Sequence, residues 1–179
     1  LPFVLTHDQK RIVWEILQNI SKPTPMNRLI EGDVGSGKTI VAAIAAFNVA
    51  LEKKQVALMA PTEILARQHF ESFIKLFSGE NINLALLTSS EKLMVDLRNK
   101  NPEIYPHTLK AINIKDGGLK KSHQSTDKQD YVYKKGVGVY KIIKEGKVDI
   151  VIGTHALIQE SLEFQDLALA IIDEQHRFG

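Results

Sequence analysis

Cysteine is absent from all 179 residues. That excludes a disulfide framework and a thiolate zinc site, and it fits a reducing cytosol. No stretch has the uninterrupted apolar length of a membrane span. Arginine is missing between Arg98 and Arg177. Net charge is only +2, but it is unevenly spread: from Asp96 to Lys147 twelve Lys/Arg face six Asp/Glu, a local excess of +6 that leaves −4 on the remainder. Such a basic segment is either a nucleic-acid contact or a solvated loop. The length suits one well-packed domain, and the 44% hydrophobic content is ordinary for a globular chain. The first residue is Leu1 and not Met, so the chain reads as a piece of something larger.

What is present centres on Gly32-Asp33-Val34-Gly35-Ser36-Gly37-Lys38-Thr39, which fits the phosphate-binding pattern G-x-x-x-x-G-K-[ST]. Glycines at 32, 35 and 37 permit turn conformations in which successive N–H groups point at one anion. Lys38 then sets a positive charge against β- and γ-phosphates, and the Thr39 hydroxyl is a natural Mg²⁺ ligand. Leu29 and Ile30 read as the end of a short buried strand, and Ile40 to Leu51 as a helix whose N-terminus faces the anion. The alternative is a Gly/Ser-rich turn with a chance lysine. The expected ligand is a nucleoside triphosphate.

The rest of the chain alternates in a way that frames this loop. Thr6 caps an expected helix from His7 to Ile20, and Pro23 and Pro25 end it. Apolar runs at Val56–Ala60, Leu84–Leu87, Ile150–Gly153 and Leu167–Ile172 read as buried strands, and Pro61-Thr62 opens a helix that Gly79 stops. Purely apolar strands separated by helices imply a doubly wound α/β sandwich with a parallel sheet covered on both faces. Its ligand would lie beyond the carboxyl ends of the strands, where the loop, Thr62, Thr154 and Asp173 gather. The stretch 93–139 breaks the rhythm and reads as a basic insertion, with a small hairpin from Leu109–Ile114 and Tyr131–Tyr133. Val139 to Lys144 looks helical and rejoins the fold.

Leu169-Ala170-Ile171-Ile172-Asp173-Glu174 is an apolar strand ending in two carboxylates. After a P-loop, Asp173 suits the metal side and Glu174 the general base that activates water. Thr39 and Asp173 would share the Mg²⁺. Gln175 and His176 complete Asp-Glu-Gln-His, with His176 either a surface residue or a relay of nucleotide state. Gln9 is either a reader of the adenine edge or a solvent-facing glutamine.

With these residues assembled, the chain resembles the first RecA-like motor lobe of superfamily 2 helicases, specifically the bacterial RecG-type branch-migration helicases. Five segments carry the resemblance: Leu1-Pro2-Phe3 with Leu5-Thr6 and Gln9; Met26-Asn27-Arg28-Leu29 with the P-loop; 57–66 with Gln68-His69; 150–159; and 173–179. It covers the chain apart from the insertion, so residues 1–179 are read as a single P-loop NTPase domain of RecA-like, three-layer form. The resemblance implies ATP and Mg²⁺ as cofactors, Lys38, Asp173, Glu174, Gln175 and His176 as the catalytic set, and residues 32–39 with Gln9 as the nucleotide site. It implies DNA backbone contacts at Pro61, Thr62 and Arg67 and at Gly153, Thr154 and His155. Thr62 can equally be a plain helix cap, and one residue can do both. The family's usual Thr-Gly-Ser appears here as Thr88-Ser89-Ser90, which puts a close backbone approach to DNA there in doubt.

The resemblance further implies a bacterial cytoplasmic ATP-dependent DNA helicase acting on branched DNA in recombination and repair, with no membrane partner. A second RecA-like lobe with an arginine finger and an N-terminal wedge domain would lie outside these residues. This lobe alone would bind nucleotide and hydrolyse it poorly. Competing readings are another double-stranded-DNA translocase of the transcription-repair coupling type, a P-loop kinase or small-molecule ATPase, and a non-catalytic nucleotide sensor. The kinase reading needs a lid arginine, and after Arg98 only Arg177 is available. The sensor reading leaves the base, Glu174, without a use.

Overall fold

The structure, a computed structural model, describes residues 4–97 and 138–174. Helix α1 (His7–Ile20) begins on a reciprocal cap: the Thr6 hydroxyl accepts from the Gln9 backbone N–H, and the Gln9 side chain accepts from that of Thr6. Helix α2 (Lys38–Leu51) is rich in Ala, Ile and Val and buries Val41, Ala43, Ala45, Ala46, Val49 and Ala50. A three-residue turn leads into β1 (Gln55–Met59), then α3 (Glu63–Phe77), β2 (Asn83–Leu87) and β3 (Lys92–Asp96). Beyond the undescribed segment come α4 (Val139–Lys144), β4 (Ile150–Gly153), a 3₁₀ turn (His155–Ile158) and β5 (Leu167–Ile172). None of the described helices is long and apolar enough to cross a membrane.

The five strands form one sheet in the order β3-β2-β4-β1-β5. All neighbours are parallel except β2 and β3, which run antiparallel with Leu84 opposite Val95 and Leu86 opposite Leu93. Strand residues alternate between faces. Val56, Leu58, Leu84, Leu86, Ile150 and Ile152 pack under α2 and α3 with Phe70, Phe73 and Phe77. Ala57, Ala85, Leu87 and Val151 face α4 and the 3₁₀ turn with Ile142, Ile143 and Leu157. Helices on both faces of a mostly parallel sheet make the expected RecA-like α/β sandwich. A third cluster joins α1 to α2 through Ile16, Val41 and Ala45.

Three sequence expectations are corrected. Residues 93–96, assigned to the insertion, belong to β3, with Leu93 and Val95 buried in the main core. Leu29 and Ile30 form no strand: Leu29 is exposed, while Met26 and Ile30 pack on the α1–α2 cluster and Arg28 pairs with Glu15 of α1 at 2.7 Å. These ties to the helices draw the segment away from the sheet. β5 is therefore an edge strand and half-open, unlike the fully buried β2 and β4. The expected hairpin at 109–114 and 131–133, and most of the insertion, lie outside the described residues.

Candidate nucleotide site

The candidate residues meet at one edge of the sheet because parallel strands share a direction. β1, β4 and β5 end at Met59, Gly153 and Ile172, so Pro61-Thr62, Thr154-His155 and Asp173-Glu174 leave the sheet on the same side. α2 connects tightly back to β1 and so presents its N-terminus, Gly37-Lys38-Thr39, at that edge. The Asp173 backbone N–H donates to Met59 O at 2.9 Å and fixes the exit from β5. Glu174 has left-handed backbone (φ 49°), a conformation rare outside glycine and found where a site holds its side chains in place.

The glycine loop shows why each glycine is there. Gly35 and Gly37 have φ of 80° and 85°, and Gly37 caps α2. A Cβ on Gly37 would lie 2.3 Å from Gln9 Nε2, and one on Gly32 would lie 2.9 Å from Ser36 Oγ. Val34 at the tip is fully exposed. The Lys38 ammonium folds back into the loop and donates to Gly32 O at 2.6 Å and Asp33 O at 2.9 Å. A cation thus stands at the mouth of a loop in which Gly32 and Gly37 are crowded by neighbouring side chains and Gly35 and Gly37 hold positive φ, a cradle suited to phosphate oxygens. Thr39 and Asp173 supply a hydroxyl and a carboxylate, hard oxygen donors of the kind Mg²⁺ takes one or two of while phosphates and water complete its shell. The residues fit both groups.

Gln9 is half-buried and bonded at both ends of its amide. Its Oε1 accepts from Thr6 N at 3.0 Å and its Nε2 donates to Ser36 O at 2.9 Å, which ties the start of α1 to the phosphate loop. Among the described residues, each end of the amide retains one further bonding position. Asp173 accepts a hydrogen bond from an unforeseen neighbour: His69 Nε2 on α3 lies 2.7 Å from Asp173 Oδ2. Gln175 and His176 lie outside the described residues.

The expected DNA contacts are placed unequally. Thr62 is exposed and caps α3, accepting from Leu65 N at 3.2 Å. Pro61 lies beside it, half-buried. Arg67 forms a close ion pair with Glu91 and a looser one, at 3.7 Å, with Glu71. His155 is exposed, whereas Thr154 is buried. Gly153 is explained by packing: a Cβ there would sit 2.1 Å from the Leu87 carbonyl oxygen. At Thr88-Ser89-Ser90, both serine hydroxyls donate to the Glu63 carboxylate, and Ser90 N adds a third bond at 3.2 Å. The Ser89 bond foremost, with Ser90, holds the Glu63 carboxyl below its ordinary value of 4.5.

Known proteins are similar to this chain in sequence. The family model described as DEAD/DEAH box helicase matches residues 6–115. The ATP-dependent DNA helicase RecG of Aquifex aeolicus is 41% identical over 179 residues, covering 100% of this chain and 18% of that protein. RecG of Bacillus subtilis is 42% identical over the same 179 residues, covering 20% of that protein. The transcription-repair-coupling factor of Myxococcus xanthus is 40% identical over 177 residues, 99% of this chain and 11% of that protein. The chain therefore spans about a fifth or less of the length of these relatives.

Proposed function

The chain belongs to the DEAD/DEAH box helicase family, and we propose that it is the ATP-binding motor lobe of a bacterial, cytoplasmic ATP-dependent DNA helicase that remodels branched DNA, such as replication forks and Holliday junctions, in recombination and repair. The observation that carries the reading is the shared edge: a glycine loop with Lys38 folded into it, opening a helix at the sheet edge where Asp173 and Glu174 emerge. The relatives named RecG, matching over the whole chain, support the helicase class.

On ATP binding, Lys38 exchanges the carbonyls of Gly32 and Asp33 for the β- and γ-phosphates, and the loop N–H groups close on them. Gln9 offers its remaining donor and acceptor to the adenine edge. Thr39 and Asp173 hold Mg²⁺, which supplies neutralising charge for the γ-phosphate when bound. Glu174 takes the proton of the attacking water, and Gln175 and His176 pass nucleotide state onward. DNA is held through its phosphates at Pro61-Thr62, Arg67 and the Gly153-Thr154-His155 turn, contacts that carry no sequence information. A second lobe with an arginine finger and a wedge domain complete the machine. An arginine finger is worth about 10³–10⁵ in rate, so this lobe alone binds nucleotide and turns it over poorly.

The transcription-repair-coupling relative supports a second reading, a duplex translocase of that type. An oligonucleotide-binding-fold wedge in the longer protein favours the first reading over the second. The test of the nucleotide site is a calorimetric titration of Mg-ADP and Mg-ATP into the chain and its Lys38→Ala variant, with turnover followed with and without a forked duplex. Saturable binding lost in Lys38→Ala, with negligible turnover, is expected. Absence of binding in a folded chain rejects the site, and brisk DNA-stimulated hydrolysis rejects the need for a second lobe.

A further inference from the structure

We propose that His69 is a positioning residue for the nucleotide site: its imidazole holds the Asp173 carboxylate in the orientation that serves Mg²⁺. The inference rests on the reading of Asp173 as the metal-side carboxylate. His69 Nε2 lies 2.7 Å from Asp173 Oδ2, joining residues 104 apart in the chain. The His69 side chain is 12% exposed and that of Asp173 is 35% exposed. The contact therefore sits at the border of the core, closed on the imidazole side and open on the other. Oδ2 is engaged by the ring, and on this inference Oδ1 serves the metal shell.

Two further features make the carboxylate dependent on this partner. Asp173 follows the last residue of an edge strand, and its backbone is pinned by one bond to Met59 O. The next residue, Glu174, turns the chain sharply through left-handed backbone. Among the described residues, His69 is the side chain that bonds the Asp173 carboxylate. His69 itself rides on a firm support, since its α3 neighbours Phe70 and Phe73 are buried in the main core. A neutral ring donating from Nε2 to the carboxylate is sufficient, with Nδ1 as the acceptor end. Carboxylates that ligate metals are held by such outer partners, and their loss costs about 10–100-fold in metal affinity. His69 touches neither nucleotide nor metal in this arrangement, so its effect passes through Asp173.

The test is a Mg²⁺ titration of the chain in the presence of a fluorescent ADP analogue, for wild type, His69→Ala and His69→Gln. Nucleotide titrations in EDTA and melting curves run in parallel. The expected result is an increase of about 10–100-fold in the Mg²⁺ concentration for half-maximal binding in His69→Ala, with nucleotide affinity in EDTA unchanged. His69→Gln, which carries an N–H donor on a side chain of similar reach, restores most of the Mg²⁺ dependence. If His69→Ala unfolds the chain, His69→Leu replaces it as the donor-free variant of similar bulk. Equal Mg²⁺ dependence in wild type and the donor-free variant overturns the inference. So does a loss that appears equally in EDTA and follows melting temperature, which marks a purely structural contact. If wild type shows no Mg²⁺-dependent binding that Lys38→Ala removes, the nucleotide-site reading itself has failed, and the inference falls with it.

Discussion

Gln9 Nε2 donates to the Ser36 carbonyl oxygen at 2.9 Å, and this single bond joins the cap of α1 to the phosphate loop 27 residues later. The same side chain accepts from Thr6 N, so one amide closes the helix start and braces the loop together. The brace also explains Gly37 beyond its positive φ, because a Cβ there would meet Gln9 Nε2 at 2.3 Å. The loop is therefore shaped in part by α1 before any phosphate arrives.

Gln9→Ala removes half of the capping box and the loop brace. Loss of such a cap costs about 1 kcal/mol, which in a domain of this size lowers the melting temperature by about 2–4 °C. Thermal unfolding of the variant checks this. The functional counterpart, on the proposed reading of Gln9 as the adenine reader, is a reduced preference for ADP over GDP in binding titrations. An unchanged preference with the lowered melting temperature confines Gln9 to bracing.

Gln55 is buried at the opposite edge of the sheet and makes four hydrogen bonds. Its Nε2 donates to Ile143 O at 2.9 Å and Val148 O at 3.0 Å, and its Oε1 accepts from Gln165 N at 2.7 Å and Asp166 N at 3.0 Å. Both ends of the amide are saturated, and the end of α4 and the lead into β5 are tied to β1. Gln55→Leu preserves bulk and strands these main-chain groups, each at a cost of about 1–3 kcal/mol where no water reaches it. Chemical denaturation is expected to show a loss of several kcal/mol or failure to fold. A loss below about 1 kcal/mol contradicts the role given to Gln55.

What could be read in advance follows from where the physics is local. Strands β1, β2 and β4 are buried on both faces, so beyond the buried Gln55 and Asn83 at the starts of the first two their sequences are unbroken apolar runs that stand out. Thr6 and Thr62 mark helix starts by cap chemistry with a fixed offset. β3 is hidden because Lys92-Leu93-Met94-Val95-Asp96 offers only three apolar residues between charges, a run too short to stand out, although its burial alternates as an edge strand's does. Leu29-Ile30 misled in the other direction, since two apolar residues fit a strand or a helix-packing coil equally well. The Arg28–Glu15 pair that helps decide the matter spans 13 residues. No spacing rule connects His69 to Asp173 or Ser89 to Glu63, because those contacts exist only after the sheet has brought the segments together.

Glu63 gives the chain a defined response to acid. Its carboxyl is held below the ordinary value of 4.5 by the Ser89 and Ser90 hydroxyls. A folded-state value below the unfolded one means that the contribution to stability is complete above about 4.5 and disappears as pH falls through the folded value. The melting-temperature difference between wild type and Glu63→Gln is therefore expected to be larger at pH 7 than at pH 3. Glu63 is half-buried at the surface, so the effect is modest and weakens with salt. Ser89→Gly, which removes one of the two hydroxyls, is expected to shrink the same pH-dependent difference. A difference that does not vary with pH contradicts the assignment.

Arg67 is offered to DNA on the proposed reading, yet its guanidinium is held by Glu91 and, more loosely, by Glu71. Phosphate and Glu91 then compete for one cation, and removing the acid releases it. Glu91→Gln is expected to strengthen duplex binding, whereas Arg67→Ala weakens it. Each phosphate contact contributes about one unit to the slope of log affinity against log salt for duplex DNA. Fluorescence anisotropy with a labelled duplex across a salt series is therefore expected to show a slope about one unit shallower in Arg67→Ala. The double variant should bind like Arg67→Ala, because the acid acts only through the arginine. Tighter binding of the double variant than of Arg67→Ala would mean that Glu91 repels the phosphates directly, and Arg67 would then be a strut for the β2–β3 turn and not a DNA ligand.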